Sequence, residues 1–531
     1  MRRIGPGAPR NLGGVPAMVA LALGGGCADP VPVATSIRIS PESVVLEDVG
    51  GTAQLTASVL DQNDVAMMDI PVVWSSTAND IATVSEDGLV RGGAVGTTTV
   101  QASAGELTAV ATIVVGLGEV GVLYKIHGEM GGDGWVNDRN WKTDAPLFRW
   151  YGVRTEDSMP ARGVAELSLY GNGLTGELPP ELGTVQTLRV LVLFGNRITG
   201  SIPPELGRLS DLEVLWIEEN QLTGTIPSEL GDLRNLRGLD LDVNALTGSI
   251  PSELGKLRNL VNLDLAMNEL TGSIPPELGS LPALEWFHLN DNDLTGSIPP
   301  ELGNLGLQML DLSNNRLTGT IPPELGNIGP LWWLRLNGNE LTGAIPPELG
   351  NFWTLQNLIL RDNRLTGSIP LELGKLTRQL RHLDLSNNRL AGTIPPVLGD
   401  SLRLISLDLS GNELTGPIPG FRNMRRFNVS DNRLTGPIPG EFWDLHYLTD
   451  IDLSNNELTG SISAEIGDLG ELNSLSIFGN PLTGPLPREL IGLPLSLFHW
   501  HDTDLCAPAD DDFQEWLDSI EDHKGNGICD S

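Results

Sequence analysis

The chain is 531 residues long and carries 33 Lys+Arg against 68 Asp+Glu, a formal net charge of −35. That length exceeds one ordinary compact core and calls for several domains or a repeat array. The charge excludes nucleic acid as a partner, because phosphates would be repelled. It also excludes adsorption of the protein's own charges to an anionic membrane, and it favours solubility.

Arg2, Arg3 and Arg10 precede a short apolar stretch, Val15–Leu23, that is followed by small residues, the layout of an export signal. The stretch is too short to span a bilayer, and no other run in the chain comes close. The segment "LALGGGC" ends at Cys27. It resembles a bacterial lipoprotein signal, in which the cysteine becomes the lipidated first residue; Gly24 stands where that family usually has Leu. An ordinary cleaved signal with an incidental cysteine is the alternative. The only other cysteines, Cys506 and Cys529, bracket one short C-terminal segment. They would pair in an oxidising compartment and leave Cys27 for the anchor. Stable anchoring takes more than one acyl chain, and the resembled lipoproteins carry several.

Residues 28–34 read as a linker and 35–116 as a small all-β domain. Apolar and polar residues alternate in "TAQLTASVL" (Thr52–Leu60) and "TTTVQASA" (Thr97–Ala104), with Gly and Asp between. Trp74 is the expected core aromatic. The run Val72–Val115, with W-S-S, A-T-V-S, G-L-V and G-T-T-T-V in order, resembles bacterial Ig-like domains of group 2. The resemblance implies a β-sandwich used as a stalk or adhesive module.

Residues 117–163 change character. Val120, Leu123, Tyr124 and His127 have helical spacing, and Trp135, Trp141 and Trp150 follow at loop-like intervals. The segment is similar to the N-terminal cap of leucine-rich repeat proteins. Plant versions place two Cys around the W-x-G-V motif; here Phe148 and Thr155 stand there, so packing must hold the cap.

Residues 164–503 are periodic. The pattern L-x-L-x-x-N-x-L-t-G-x-I-P-x-x-L-G recurs with its Asn at 172, 196, 220, 244, 268, 292, 315, 339, 363, 388, 412, 432, 456 and 480. This is the signature of a leucine-rich repeat solenoid. Its L-T-G-x-I-P form resembles the plant-specific subtype of receptor ectodomains and polygalacturonase inhibitors. The fold expected is an α/β-type, β-dominated, curved right-handed solenoid behind the Ig-like sandwich. Inward Leu of L-x-L make the core, Asn serves the turn at the strand end, and no repeat can bury its Leu face alone. From Asn412 to Asn432 the spacing falls to 20, a shorter loop that brings Arg422, Arg425 and Arg426 together. After one degenerate repeat, with Phe498 and Trp500 in the Leu places and Thr503 in that of Asn, residues 504–531 should cap the array. Phe513, Trp516, Leu517 and Ile520 fit one helix face, and Asp510–Asp512 sit at its start.

Catalytic signatures are missing: no Walker loop, G-x-S-x-G, H-E-x-x-H or Cys–His pair. His499 and His501 with Asp502 and Asp504 could hold a metal, but surface exposure is the better account. An enzyme is not expected, nor a cofactor or metal. The informative residues lie six, four, two and one before each Asn, facing outward. Asp311, Asp384, Asp408 and Asp452 follow the repeat consensus and say little. Departures from it are Tyr170, Phe194, Trp216, Trp286 and Trp333, joined by His288, Arg335 and Arg361. Exposed Trp and Arg mark interface hot spots, so these eight form the expected ligand-binding face. The partner is a protein or glycan, with membrane contact only through the lipid anchor, for an exported, monomeric binding protein. A structural envelope component or an inhibitor of a polysaccharide-degrading enzyme is the alternative.

Overall fold

In the computed structural model the described residues are 31–46, 48–116, 118–143, 145–155 and 163–529. The export segment and Cys27 lie outside them. Two compact units divide between Gly118 and Glu119. Among the described residues no helix is long and apolar enough to cross a membrane.

The first unit is a β-sandwich. A four-stranded sheet orders Ser43–Leu46, Leu107–Val115, Gly96–Ala104 and Val73–Ser76; a three-stranded sheet orders Thr52–Gln54, Leu89–Gly92 and Ala82–Val84. Strand alternation sends Val100, Ala102, Ala111 and Ile113 into the core. Trp74 does not sit at its centre. It is half-buried and packs against the core margin, over Gly88, where an added Cβ would come within 3.0 Å of its ring.

The second unit opens with helix α1, Gly118–Glu129. Its inward face is Val122, Leu123, Ile126 and His127; Val120 and Tyr124, which share the helical spacing of Leu123 and His127, are exposed. The cap closes without a disulfide. Trp135, Trp141 and Trp150 are buried, with centroid separations of 4.9 and 5.1 Å along the series. Each indole donates to a backbone carbonyl, of Met130 at 2.8 Å, Tyr151 at 2.9 Å and Ala145 at 2.8 Å, so none is buried at the expense of its N–H.

One 17-stranded sheet follows, its strands in chain order and parallel after the first antiparallel pair. Its inward Leu column is fully buried, for example Leu239, Leu263 and Leu310 at 0% exposure. The repeat Asn does more than cap its own turn. Asn268 Nδ2 donates to the carbonyls of Leu265 and Ala266 and of Leu241 in the preceding repeat. Its Oδ1 accepts from Leu246 N–H, also in the preceding repeat, at 3.0 Å. The L-T-G segments form a second, interrupted parallel ladder, continuous over six strands from Thr342–Ala344 to Glu457–Leu458. Gly272 holds the bend at φ +79°, a conformation that disfavours other residues. The convex wall is made of short 3-10 helices such as Pro276–Ser280 rather than α-helices. Gly279 there lets the walls stack, since a Cβ would lie 2.5 Å from the Glu301 carbonyl oxygen.

Across the short repeat, Phe421, Met424 and Phe427 are buried, and Phe421, Phe427 and Phe442 stack edge to face at 5.1 and 4.9 Å. Large rings fill the space of the missing convex segment. The basic spot is tempered by carboxylates: Arg422 reaches Asp400 and Arg426 reaches Asp450, each at 3.5 Å.

The C-terminal segment is more than a helix. Helix α2, Asp511–Asp518, is capped by Asp510, which accepts from Phe513 N–H at 3.1 Å, and it buries Phe513 and Leu517. A final strand, Asp522–Lys524, then joins the large sheet beside Leu497–His499. Asn526 completes the ladder, donating to the carbonyls of Thr503 and Leu505 at 2.7 and 3.0 Å. Cys506 and Cys529 form a disulfide across a Cα separation of 4.8 Å.

Candidate functional site

The outward face of the large sheet consists of columns that run across the strands. Register places Val214, Gly238, Asn262, Trp286, Met309 and Trp333 in one column. Trp216, Asp240, Asp264, His288, Asp311 and Arg335 make the next.

The residues expected to bind separate into groups. Tyr170 and Phe194 stack at 5.0 Å with planes 9° apart. Two strands lie between that of Trp216 and that of Trp286, and the Trp216 indole lies over Gly238, where a Cβ would approach Nε1 to 3.0 Å. Met309 separates Trp286 from Trp333. The Trp rings remain 36–38% exposed. The basic side chains are engaged. His288 meets Asp264 at 2.8 Å, Arg335 meets Asp311 at 3.3 Å, and Arg361 lies 3.5 Å from Asp362 and 3.9 Å from Asp384. Arg335 also lies 4.6 Å over the Trp333 ring, a cation–π contact. Beyond it a groove of about 670 Å³ runs along the sheet from Trp333 past His382 to Asp452. At the far end His501 stacks on Phe478 at 4.5 Å and His499 Nε2 lies 3.1 Å from Asp522.

A further constellation escaped the sequence. In the four later repeats that carry a column acid, it is satisfied two residues on. Ser313, Ser386, Ser410 and Ser454 donate Oγ–H to Asp311, Asp384, Asp408 and Asp452 at 2.5–2.6 Å. Three earlier repeats lack that serine: Trp216 precedes Glu218, Asp240 precedes Asp242, and Asp264 precedes Ala266. Carboxylate oxygens of Asp240, Asp242 and Asp264 come within 4.8 Å of one another. Among the described residues no cation pairs with Glu218, Asp240 or Asp242, and Glu218 Oε2 is buried without a hydrogen-bond partner. Burial, then repulsion from Asp264, pushes the Asp240 carboxyl up to about 8. Burial, reinforced by Asp242, raises Glu218 to about 7. Burial and Asp264 raise Asp242 to about 6. Three oxygens fall short of the roughly six to eight that Ca²⁺ takes. Val243, one before the ladder Asn of this repeat, is β-branched and held at φ +47°, where most other repeats use Asn, Asp or Gly and two use Glu219 and Met267.

A rigid scaffold that varies only the side chains on one open face defines a recognition protein rather than an enzyme. Leucine rich repeat models match ten consecutive segments between residues 187 and 424, and another such model matches 422–482. The chain therefore belongs to the leucine-rich repeat family, and residues 33–115 match the bacterial Ig-like domain (group 2) family. No curated protein matches. Among solved structures, the plant peptide hormone receptor RGFR1 in complex with RGF2 is similar at 32% identity and TM-score 0.52, over 68% of each chain. A TDR receptor is similar at 27% identity and TM-score 0.59, again over 68% of each. An LRR protein of Leptospira interrogans shares 35% identity with TM-score 0.50, over 60% of this chain and 79% of that one.

Proposed function

We propose that the protein works outside the cell as a binding protein, taking a protein or peptide partner on the outward face of the large sheet. The observation that carries this reading is the presence of three half-exposed indoles, Trp216, Trp286 and Trp333, on one face of the sheet. Each ring can desolvate a contact without first being unpacked. The similar plant receptor is in complex with RGF2, which supports a peptide or protein over a glycan. The Ig-like unit serves as a stalk, and a lipid on Cys27 would hold the chain at a membrane.

Replacing Trp216, Trp286 and Trp333 together with Ala should abolish capture of the partner from an unbiased protein panel. The thermal midpoint should stay nearly unchanged. Undiminished capture would refute this assignment. Palmitate labelling of the full chain, lost in Cys27→Ala, tests the anchor.

A further inference from the structure

The reading above leaves open what kind of partner the face selects. The stretch between Trp216 and Trp286 is distinctive because its acids lack a serine donor: Asp240 accepts only the Asp242 backbone N–H, at 3.3 Å, among the described residues. Later acids of the column take a serine hydroxyl. Asp264 takes His288 and Asp311 takes Arg335 as well as Ser313. Glu218, Asp240 and Asp242 have neither arrangement; their nearest charged neighbours are each other, Glu219 and Asp264. Among the described residues, the basic side chain that acts on them from an adjoining strand is His288, already on Asp264. Crowded carboxylates of this sort are costly unless a cation joins them.

Exposed indoles lie on both sides of the cluster. Trp216 heads the column that continues into Asp240 and Asp264, and Trp286 shares a strand with His288. The molecule uses the same pairing internally, where the Arg335 guanidinium lies over Trp333 while reaching Asp311. A guanidinium or ammonium entering between Trp216 and Trp286 would gain a carboxylate partner below and an aromatic face beside it.

We propose, building on the reading of the outward face of the large sheet as the binding face (the concave face of the solenoid), that the stretch from Trp216 to Trp286 docks an arginine- or lysine-bearing extended segment of a protein partner, whose cationic head group sits among Glu218, Asp240 and Asp242. Charge complementarity selects this occupant. An acidic segment would add to the repulsion, and a neutral one would leave the carboxylates unpaired in a water-poor contact. The entering cation favours the ionised acids, so binding releases their protons and tightens as pH rises from 5 to 8.

The test uses the full chain and three fluorescein-labelled peptides, (Arg-Gly)4, (Ser-Gly)4 and (Glu-Gly)4, with anisotropy as readout, and CaCl2 as a separate arm. The expected result is saturable binding of (Arg-Gly)4 alone, accompanied by a change in Trp emission. Asp240→Asn/Asp242→Asn and Trp216→Ala should each weaken it at least tenfold, while Asp408→Asn/Asp452→Asn, which removes the same number of carboxyl groups elsewhere on the face, should leave it unchanged. Equal weakening by both double variants would show general attraction to an acidic protein and overturn the proposal. Calcium binding that competes with the peptide and is lost in Asp240→Asn/Asp242→Asn would also overturn it, in favour of a cation site. If the Trp216/Trp286/Trp333→Ala variant loses a captured partner that Asp240→Asn/Asp242→Asn retains, the concave-face reading stands and this one falls.

Discussion

The outward face contains two stretches built on one backbone and finished in opposite ways. From Asp384 to Ser454, Asp384, Asp408 and Asp452 each accept from a serine two residues on, and Asn428 does the same with Ser430 at 2.8 Å. From Trp216 to Asp264 that donor is absent, carboxylates crowd together, and exposed Trp flank them. Beneath both, the asparagine ladder closes identically: Leu246 N–H to Asn268 at 3.0 Å, Leu434 N–H to Asn456 at 2.9 Å. Scaffold and face are thus independent. The later stretch is chemically complete in itself, whereas the earlier one is complete only with something added.

The largest effect should fall equally on both stretches. Asn268→Ala and Asn456→Ala each leave one amide and several carbonyls unmet, at a cost of about 3 kcal/mol. Unequal losses in denaturant midpoint would break the claim of a common scaffold. The next effect should separate the stretches. Glu218, Asp240 and Asp242 sit at about 7, 8 and 6 in the folded chain, above the usual carboxylate range of about 4. The folded state therefore holds more protons than the unfolded one. Their contribution to stability falls as pH rises from about 4 towards 8. Thermal midpoints at pH 5, 7 and 8.5 should show the decline, and Asp240→Asn/Asp242→Asn should flatten it.

Smaller still is an exchange of chemistry between the stretches. Asp242→Ser rebuilds the acid–serine pair and should gain about 1 kcal/mol at pH 8, while Ser454→Ala dismantles one and should lose about the same. Urea melts of both, compared with the parent, would sharpen or blunt the contrast. Least of all, Val243→Asn relieves the left-handed β-branched residue and should gain roughly 0.5 kcal/mol, read as a small rise in thermal midpoint.

The solenoid was legible because its determinants lie along the chain. Leu at alternate places, Asn at the strand end and Gly at the bend are local requirements, repeated until chance is excluded. The buried Trp135, Trp141 and Trp150 and the helix over residues 511–518 could be read for the same reason. What failed were relations between segments. Val120 and Tyr124 share a helical spacing with Leu123, yet the cap turns a neighbouring arc of α1 inward. Asn526 closes the ladder from a tail with no repeat pattern to reveal it. Asp240 looks like ordinary consensus until Asp242 is noticed where serine belongs, and its crowding with Asp264 depends on the register of two strands. Exposed aromatics were visible one by one, but their division into a Tyr170–Phe194 stack, a lone Trp216 and a Trp286–Met309–Trp333 row required the sheet.

The backward reach of each ladder asparagine has a consequence for synthesis. Asn268 fastens the turn of the repeat before it, so a repeat emerging from the ribosome stays open at its trailing edge until the following strand has been made. Growth then advances like a zip whose every tooth is locked by its successor. Asn526, supplied by the cap rather than by a repeat, is the stop on this track. The Cys506–Cys529 bond then ties that stop in place, and a nascent chain interrupted before it would present an unfastened end to whatever edge it met next.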